Sequence, residues 1–234
     1  MGNEQLILHV IDNLEVEYPQ LTKTGVDYPQ EKLPELRSHL QAIGSKVVDG
    51  FVLDENNWYV YVQLVRWAIG DSKFFAQDPI SKKPVAGDVC KGIYLAGNTG
   101  TGKTVATKIL KALYKRNVIK VGERSLDWRD AHTSEIISIY ARTGDIEEYK
   151  TSGVLCIQDL GSESPEALFM GNRMNVLQDI LLCRAENPRC VTIVTSNWPM
   201  AGDFIRKMYG DRVYSRLFKM FNYLELKGPD RRRK

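Results

Sequence analysis

Residues 97–104 read G-N-T-G-T-G-K-T, which fits the spacing G-x-x-x-x-G-K-[ST]. The glycines let backbone N–H groups approach phosphate oxygens with no Cβ in the way. Lys103 is long enough to reach the β- and γ-phosphates of a nucleotide, and the Thr104 hydroxyl suits a Mg²⁺ ligand. The candidate nucleotide-binding set is therefore Gly97, Asn98, Thr99, Gly100, Thr101, Gly102, Lys103, Thr104 and Val105. A glycine turn beside a solvated lysine is the competing reading, and the flanks argue against it. Gly92-Ile93-Tyr94-Leu95-Ala96 is a short apolar run suited to a buried strand, and residues 105–113 place apolar side chains at helical spacing. Strand, glycine loop and helix is the context the motif requires, and the helix N-terminus adds a positive dipole end.

Three further positions have types that could complete such a site. Val154-Leu155-Cys156-Ile157 reads as a strand and is followed by Gln158 and Asp159. A carboxylate there can hold Mg²⁺ or orient an attacking water, so Asp159 is both a catalytic and a metal candidate, beside Thr104. Val191-Thr192-Ile193-Val194-Thr195 is the next strand, and Asn197 follows it with an amide able to contact the γ-phosphate. Arg212 and Arg216 lie four residues apart, on one face of a predicted helix over residues 209–220. An arginine fork suits phosphate recognition and can act from a neighbouring subunit, and Arg216 is the stronger candidate.

These residues need elements to position them. Past residue 91, strand and helix signals alternate: a helix over 133–142, a long helix over 168–184, and the strands already named. Alternation of this kind predicts an α/β fold, a parallel sheet with covering helices. Ligands in such folds bind beyond the carboxyl ends of the strands, where the loop, Asp159 and Asn197 all fall. The first 70 residues read as helical. Residues 4–16 carry one apolar face, and a second helix ends at Ile69, with Asn56 or Asn57 as its cap and Gly70 as its stop. The expected organisation is a helical partner-binding region over 1–70, a linker over 71–90, an ATP-binding domain over 91–228 and a basic tail over 229–234.

Composition sets outer limits. A chain of 234 residues with 43% hydrophobic content suits one large or two modest domains. No apolar run approaches the ~20 residues that span a bilayer, and the first residues lack the basic region of a secretory signal. Cys90, Cys156, Cys183 and Cys190 form no C-x-x-C pair, which argues against structural zinc and for reduced thiols in the cytoplasm. Residues 1–85 carry 8 Lys/Arg against 12 Asp/Glu, whereas residues 86–234 carry 24 against 17. The basic half suits a polyanion, though part of its excess lies in the Arg231-Arg232-Arg233-Lys234 tail.

Taken in order, G-N-T-G-T-G-K-T, I-Q-D-L-G, T-S-N and Y-G-D-R-V-Y-S-R-L resemble the DnaC-type helicase loaders. These are AAA+ ATPases related to the IstB transposition helpers and to the DnaA initiator. The resemblance covers roughly residues 90–230. It implies ATP and Mg²⁺ as cofactors, Gly97 to Thr104 as Walker A, the Asp159 segment as Walker B, Asn197 as sensor 1 and Arg216 as an arginine finger. It implies a replicative helicase as partner of the N-terminal region, single-stranded DNA as a further partner, and self-association. An IstB-like transposition helper and a nucleotide-gated adaptor are the alternatives. Two departures stand out. Gln158 occupies the place of the usual first Walker B carboxylate, so slow hydrolysis is expected. Only 18 residues follow Arg216, so the expected fold lacks a full C-terminal lid.

Overall fold

The computed structural model describes residues 27–114, 120–121, 124–125, 128–187 and 189–232. The expected helix over residues 4–16 and the last two residues of the basic tail lie outside them. The described residues group into two compact units, one within Met1–Phe75, Asp88–Cys90 and Val105–Asp127, the other within Ala76–Gly87, Lys91–Thr104 and Trp128–Lys234.

The first unit is led by two helices. Leu33–Val47 (α1) carries Pro34 in its first turn, where a missing N–H is harmless, and buries Leu36 and Leu40. Glu55–Ile69 (α2) is capped by Asp54 rather than by Asn56 or Asn57. The Asp54 carboxylate accepts from the Asn56 N–H at 2.9 Å, while the Asn57 side chain accepts from the Asp54 N–H at 2.9 Å, a reciprocal capping box. Gly70 ends the helix in the left-handed region, as expected. Two of the four aromatic residues of α2, Tyr61 and Trp67, are core, whereas Tyr59 is exposed. Lys103–Tyr114 (α3) continues directly from the glycine loop, and Lys120–Val121 (β4) pairs with Arg124–Ser125 (β5).

The second unit is built on a seven-stranded sheet. Its strands are Phe75–Gln77 (β1), Pro84–Ala86 (β2), Gly92–Ala96 (β3), Arg129–His132 (β6), Val154–Leu160 (β7), Val191–Ser196 (β10) and Phe221–Glu225 (β11), in the order β2-β1-β11-β3-β10-β7-β6. From β11 to β6 every pairing is parallel, and β1 joins β11 antiparallel. The stretch read as a linker thus contributes two strands. Every residue of β3 and β10 is buried, as befits central strands covered on both faces. Edge strand β6 lacks such a run, so its sequence, Arg-Asp-Ala-His, shows no strand signal.

Four helices accompany this sheet: Thr133–Thr143 (α4), Glu147–Thr151 (α5), Val176–Glu186 (α6) and Asp203–Met220 (α7). The expected long helix over residues 168–184 is corrected. Its first part is a hairpin, Ala167–Phe169 (β8) with Asn172–Met174 (β9). Met170 and Gly171 both have positive φ at its two-residue turn, and Asn175 then caps a shorter α6. α7 breaks at Gly210, and the carbonyls loosened there are satisfied by α6: Asn175 Nδ2 donates to Met208 O and Gln178 Nε2 to Tyr209 O.

Arg184, only 1% exposed, ties α6 to its surroundings. Its guanidinium donates to Thr192 Oγ1, Val191 O, Tyr149 O and Ser152 O, all within 3.0 Å. Replacing it by alanine strands two buried carbonyls and a third that is partly buried, so Arg184→Ala is expected to lower stability by about 3 kcal/mol or more. Urea unfolding reads this, and a loss below about 1 kcal/mol contradicts the bracing role.

Candidate functional site

Parallel strands place their carboxyl ends on one edge, and the register aligns them closely. Ala96 pairs with Ser196, Leu160 with Ser196, and His132 with Gln158. The segments following β3 and β10 and the last residues of β7 and β6 therefore share one end of the sheet. The glycine loop leaves β3 there, with the Gly97 N–H donating to Ser196 O at 3.2 Å.

The loop is crowded by residues that follow β11. A Cβ on Gly97 would sit 2.4 Å from Leu226 O, and one on Gly100, whose φ is +79°, only 1.8 Å from the Asp230 carboxylate. Leu226 N donates to Ala96 O at 2.8 Å and Arg231 N to Gly100 O at 3.0 Å. Part of the basic tail is thus laid along the loop, an arrangement for which the sequence carried no signal beyond charge. Asn98 and Thr99 are exposed, Thr101 is buried with its hydroxyl on Asn98 O at 2.9 Å, and Val105 is the third residue of α3.

Lys103 is the most constrained of the candidates. It is 5% exposed. Its Nζ donates to Gly97 O (2.8 Å), Asn98 O (2.9 Å) and Asn197 Oδ1 (2.7 Å), which uses all three of its protons. Burial pulls its pKa below the ordinary lysine value, Asp159 opposes that fall, and Arg232 adds to it. The loop lysine and Asn197, 94 positions apart, are joined directly.

A second cluster adjoins this one. Thr104 Oγ1 donates to Gln158 Oε1 at 3.2 Å, and Thr195 Oγ1 donates to the same oxygen at 2.9 Å. The Gln158 amide nitrogen faces Cys156 Sγ (3.1 Å) and Asp130 Oδ1 (3.4 Å). Asp159 lies within the last residues of β7 rather than after the strand, with φ +59°. Its carboxylate meets His132 Nε2 at 3.0 Å, and His132 Nδ1 lies 2.7 Å from Ser134 Oγ. Asp130, His132 and Thr195 were all missed by sequence reasoning, the first two because β6 has no apolar pattern. Trp198, directly after Asn197, is 40% exposed and stacks on Phe204 at 3.9 Å.

Arg212 and Arg216 are not brought to this edge. α7 ends at Met220, immediately before β11 begins, and α6 ends shortly before β10 begins. Arg216 donates from Nε to Glu186 Oε1 at 2.9 Å, so the pair sits where the parallel strands start. That is the opposite end of the sheet, roughly 16–20 Å away for five- and six-residue strands. Arg216 holds the Glu186 carboxyl below its ordinary pKa, helped by Arg212 and Lys219. Arg212 itself is exposed.

A phosphate-bound Mg²⁺ fits the donor set. Thr104 offers a hydroxyl, Gln158 a carbonyl oxygen and Asp159 a carboxylate, all oxygens suited to a hard cation. Among the described residues no group of three or more His, Cys, Asp or Glu could hold a metal ion.

No protein-family model matches the chain, and no curated protein matches it by sequence. Solved structures do match. The DnaC helicase loader is 20% identical with a TM-score of 0.51, over 77% of this chain and 96% of that one. A putative primosome component from Streptococcus pyogenes serotype M3 is 20% identical with a TM-score of 0.50, over 86% of this chain and 98% of that one. The fold, a mostly parallel sheet with covering helices, is therefore similar to that of these two structures. Among the described residues, no helix is long and apolar enough to cross a membrane.

Gly100→Ala should strain the loop by about 1–2 kcal/mol and push Asp230 away. Faster tryptic cleavage after Arg231 and Arg232 is expected, and cleavage at the wild-type rate contradicts the tail contact.

Proposed function

We propose that this protein is an ATP-binding, slowly hydrolysing helicase-loader-like ATPase of the cytoplasm. It acts on a replicative helicase through its N-terminal region, engages single-stranded DNA and self-associates. The observation that carries the reading is the bond from Lys103 to Asn197, which joins the phosphate loop to the end of β10 beside Gln158 and Asp159. The fold shared with the DnaC helicase loader supports the choice of partner.

In this reading the ATP phosphates lie against the glycine loop and take over part of the Lys103 ammonium, whose present acceptors are neutral oxygens. Asn197 then stands beside the γ-phosphate. Thr104, Gln158 and Asp159 would hold Mg²⁺, which when bound neutralises charge on the β- and γ-phosphate oxygens. Asp159 orients the attacking water, and its contact with His132 limits how freely it does so. Arg216, at the far end of its own sheet, serves the nucleotide of a neighbouring subunit.

Gln158 favours a second reading, a nucleotide-gated adaptor with little turnover. A neutral amide oxygen attracts Mg²⁺ less strongly than a carboxylate. The two readings share the binding site and differ in rate.

Lys103→Ala is expected to abolish ATP binding by calorimetry, and retained binding overturns the site. Gln158→Asp should raise ATP turnover by about tenfold or more, the scale of one transition-state interaction. An unchanged rate removes Gln158 as the cause of slow hydrolysis. Mixing Arg216→Ala with Lys103→Ala protein should restore some ATPase activity, because one mixed interface pairs an intact loop with an intact arginine. A mixture as inactive as its components overturns action between subunits. Affinity purification with ATP that recovers a transposase rather than a helicase moves the assignment to a transposition helper.

A further inference from the structure

The pairing of β7 with β10 is irregular at one place. Val194 pairs with Ile157 and Ser196 with Leu160, so Gln158 and Asp159 on β7 together oppose Thr195 alone on β10. This is a bulge, and it deprives an N–H of its ladder partner. The Asp159 N–H donates instead to Thr195 Oγ1 at 2.9 Å. Thr195 is fully buried, and its single hydroxyl proton goes to Gln158 Oε1 at 2.9 Å. One hydroxyl thus accepts from one residue of the bulge and donates to the other.

The direction of these bonds has a chemical consequence. A glutamine side chain has two ends of similar shape, one accepting and one donating. The Thr195 proton needs an acceptor, which turns the Gln158 oxygen toward Thr195 and toward Thr104 Oγ1, 3.2 Å away. On the other side, the Asp130 carboxylate accepts and so draws the amide nitrogen at 3.4 Å. We infer that Thr195 is a positioning residue for the cation site, holding the Gln158 oxygen rather than its NH₂ toward Thr104 while it anchors the turn that carries Asp159. The inference rests on the proposed nucleotide site, and it explains how a site with Gln in place of a carboxylate still presents an oxygen there.

The test compares the affinity of a slowly hydrolysed ATP analogue with Mg²⁺ and with EDTA. Wild type and Thr195→Ser keep the hydroxyl and should show the same Mg²⁺-dependent gain. Thr195→Val keeps the shape and loses the proton. It should bind the metal-free analogue within about twofold of wild type and lose about tenfold of the Mg²⁺ gain, the usual cost of removing a group that orients a metal ligand. The decisive control is Gln158→Asp. A carboxylate has two equivalent oxygens and no wrong end, so Thr195→Val should cost far less in that background. An equal loss in both backgrounds reduces Thr195 to a structural role and overturns the inference. If Thr195→Val does not fold, Thr195→Ala is read against Thr195→Ser on the same ratio. A Mg²⁺ gain retained by the hydroxyl-less variants overturns the inference alone, whereas a wild type with no Mg²⁺ gain overturns the reading of the site beneath it.

Discussion

A buried ammonium group must be surrounded by acceptors, and most of this site follows from how Lys103 finds them. Two of its acceptors come from its own loop, Gly97 O and Asn98 O, and require the loop to curl back on itself. The third, Asn197, comes from just past the end of the neighbouring strand, and its distance of 2.7 Å requires β3 and β10 to end level with one another. A slip of one residue in that pairing turns Thr195 and Asn197 to the other face of the sheet. The lysine, the loop and the register of the two central strands therefore depend on one another.

The bulge in β7 does a related job one strand further out. A regular ladder spends its N–H groups on the neighbouring strand and alternates its side chains strictly. The extra residue at Gln158 and Asp159 breaks that alternation and places consecutive side chains toward the same cluster. The cost is a positive φ at Asp159, an unusual conformation for a residue other than glycine. Thr195 on one side and His132 on the other offset it by holding the backbone and the carboxylate respectively. Strain stored at this position fits a residue whose placement matters more than local stability.

Arg216 is the one site candidate of the sequence reading, with Arg212, that the fold carries away from the glycine loop. The helix that carries it ends as β11 begins, so it lies at the end of the sheet opposite the glycine loop. Its bond to Glu186 keeps the guanidinium ordered at the surface. β11 ends level with β3, and the residues after it lay Asp230 and Arg231 against the glycine loop. The two arginine-bearing segments flanking β11 thus lie at opposite ends of the sheet.

The sequence by itself determined the strand–glycine loop–helix arrangement around residues 92–114 and the parallel α/β class. These are local or periodic signals: glycines at set spacing, and apolar runs long enough to mark buried strands. It placed Asn197 just past a strand, whereas Asp159, expected after a strand ending at Ile157, lies within the last residues of β7. Only the tertiary structure decided the rest. β6 is an edge strand with polar residues, and β1 and β2 are short, so none of the three has a hydrophobic pattern to read. Only the first part of the helix expected over 168–184 failed, because its apolar residues suit a hairpin equally well once Met170 and Gly171 take a tight turn. The bonds of Lys103 to Asn197 and of Thr195 to Gln158 join residues 94 and 37 positions apart. Contacts of that kind depend on strand order and register, which no local spacing encodes.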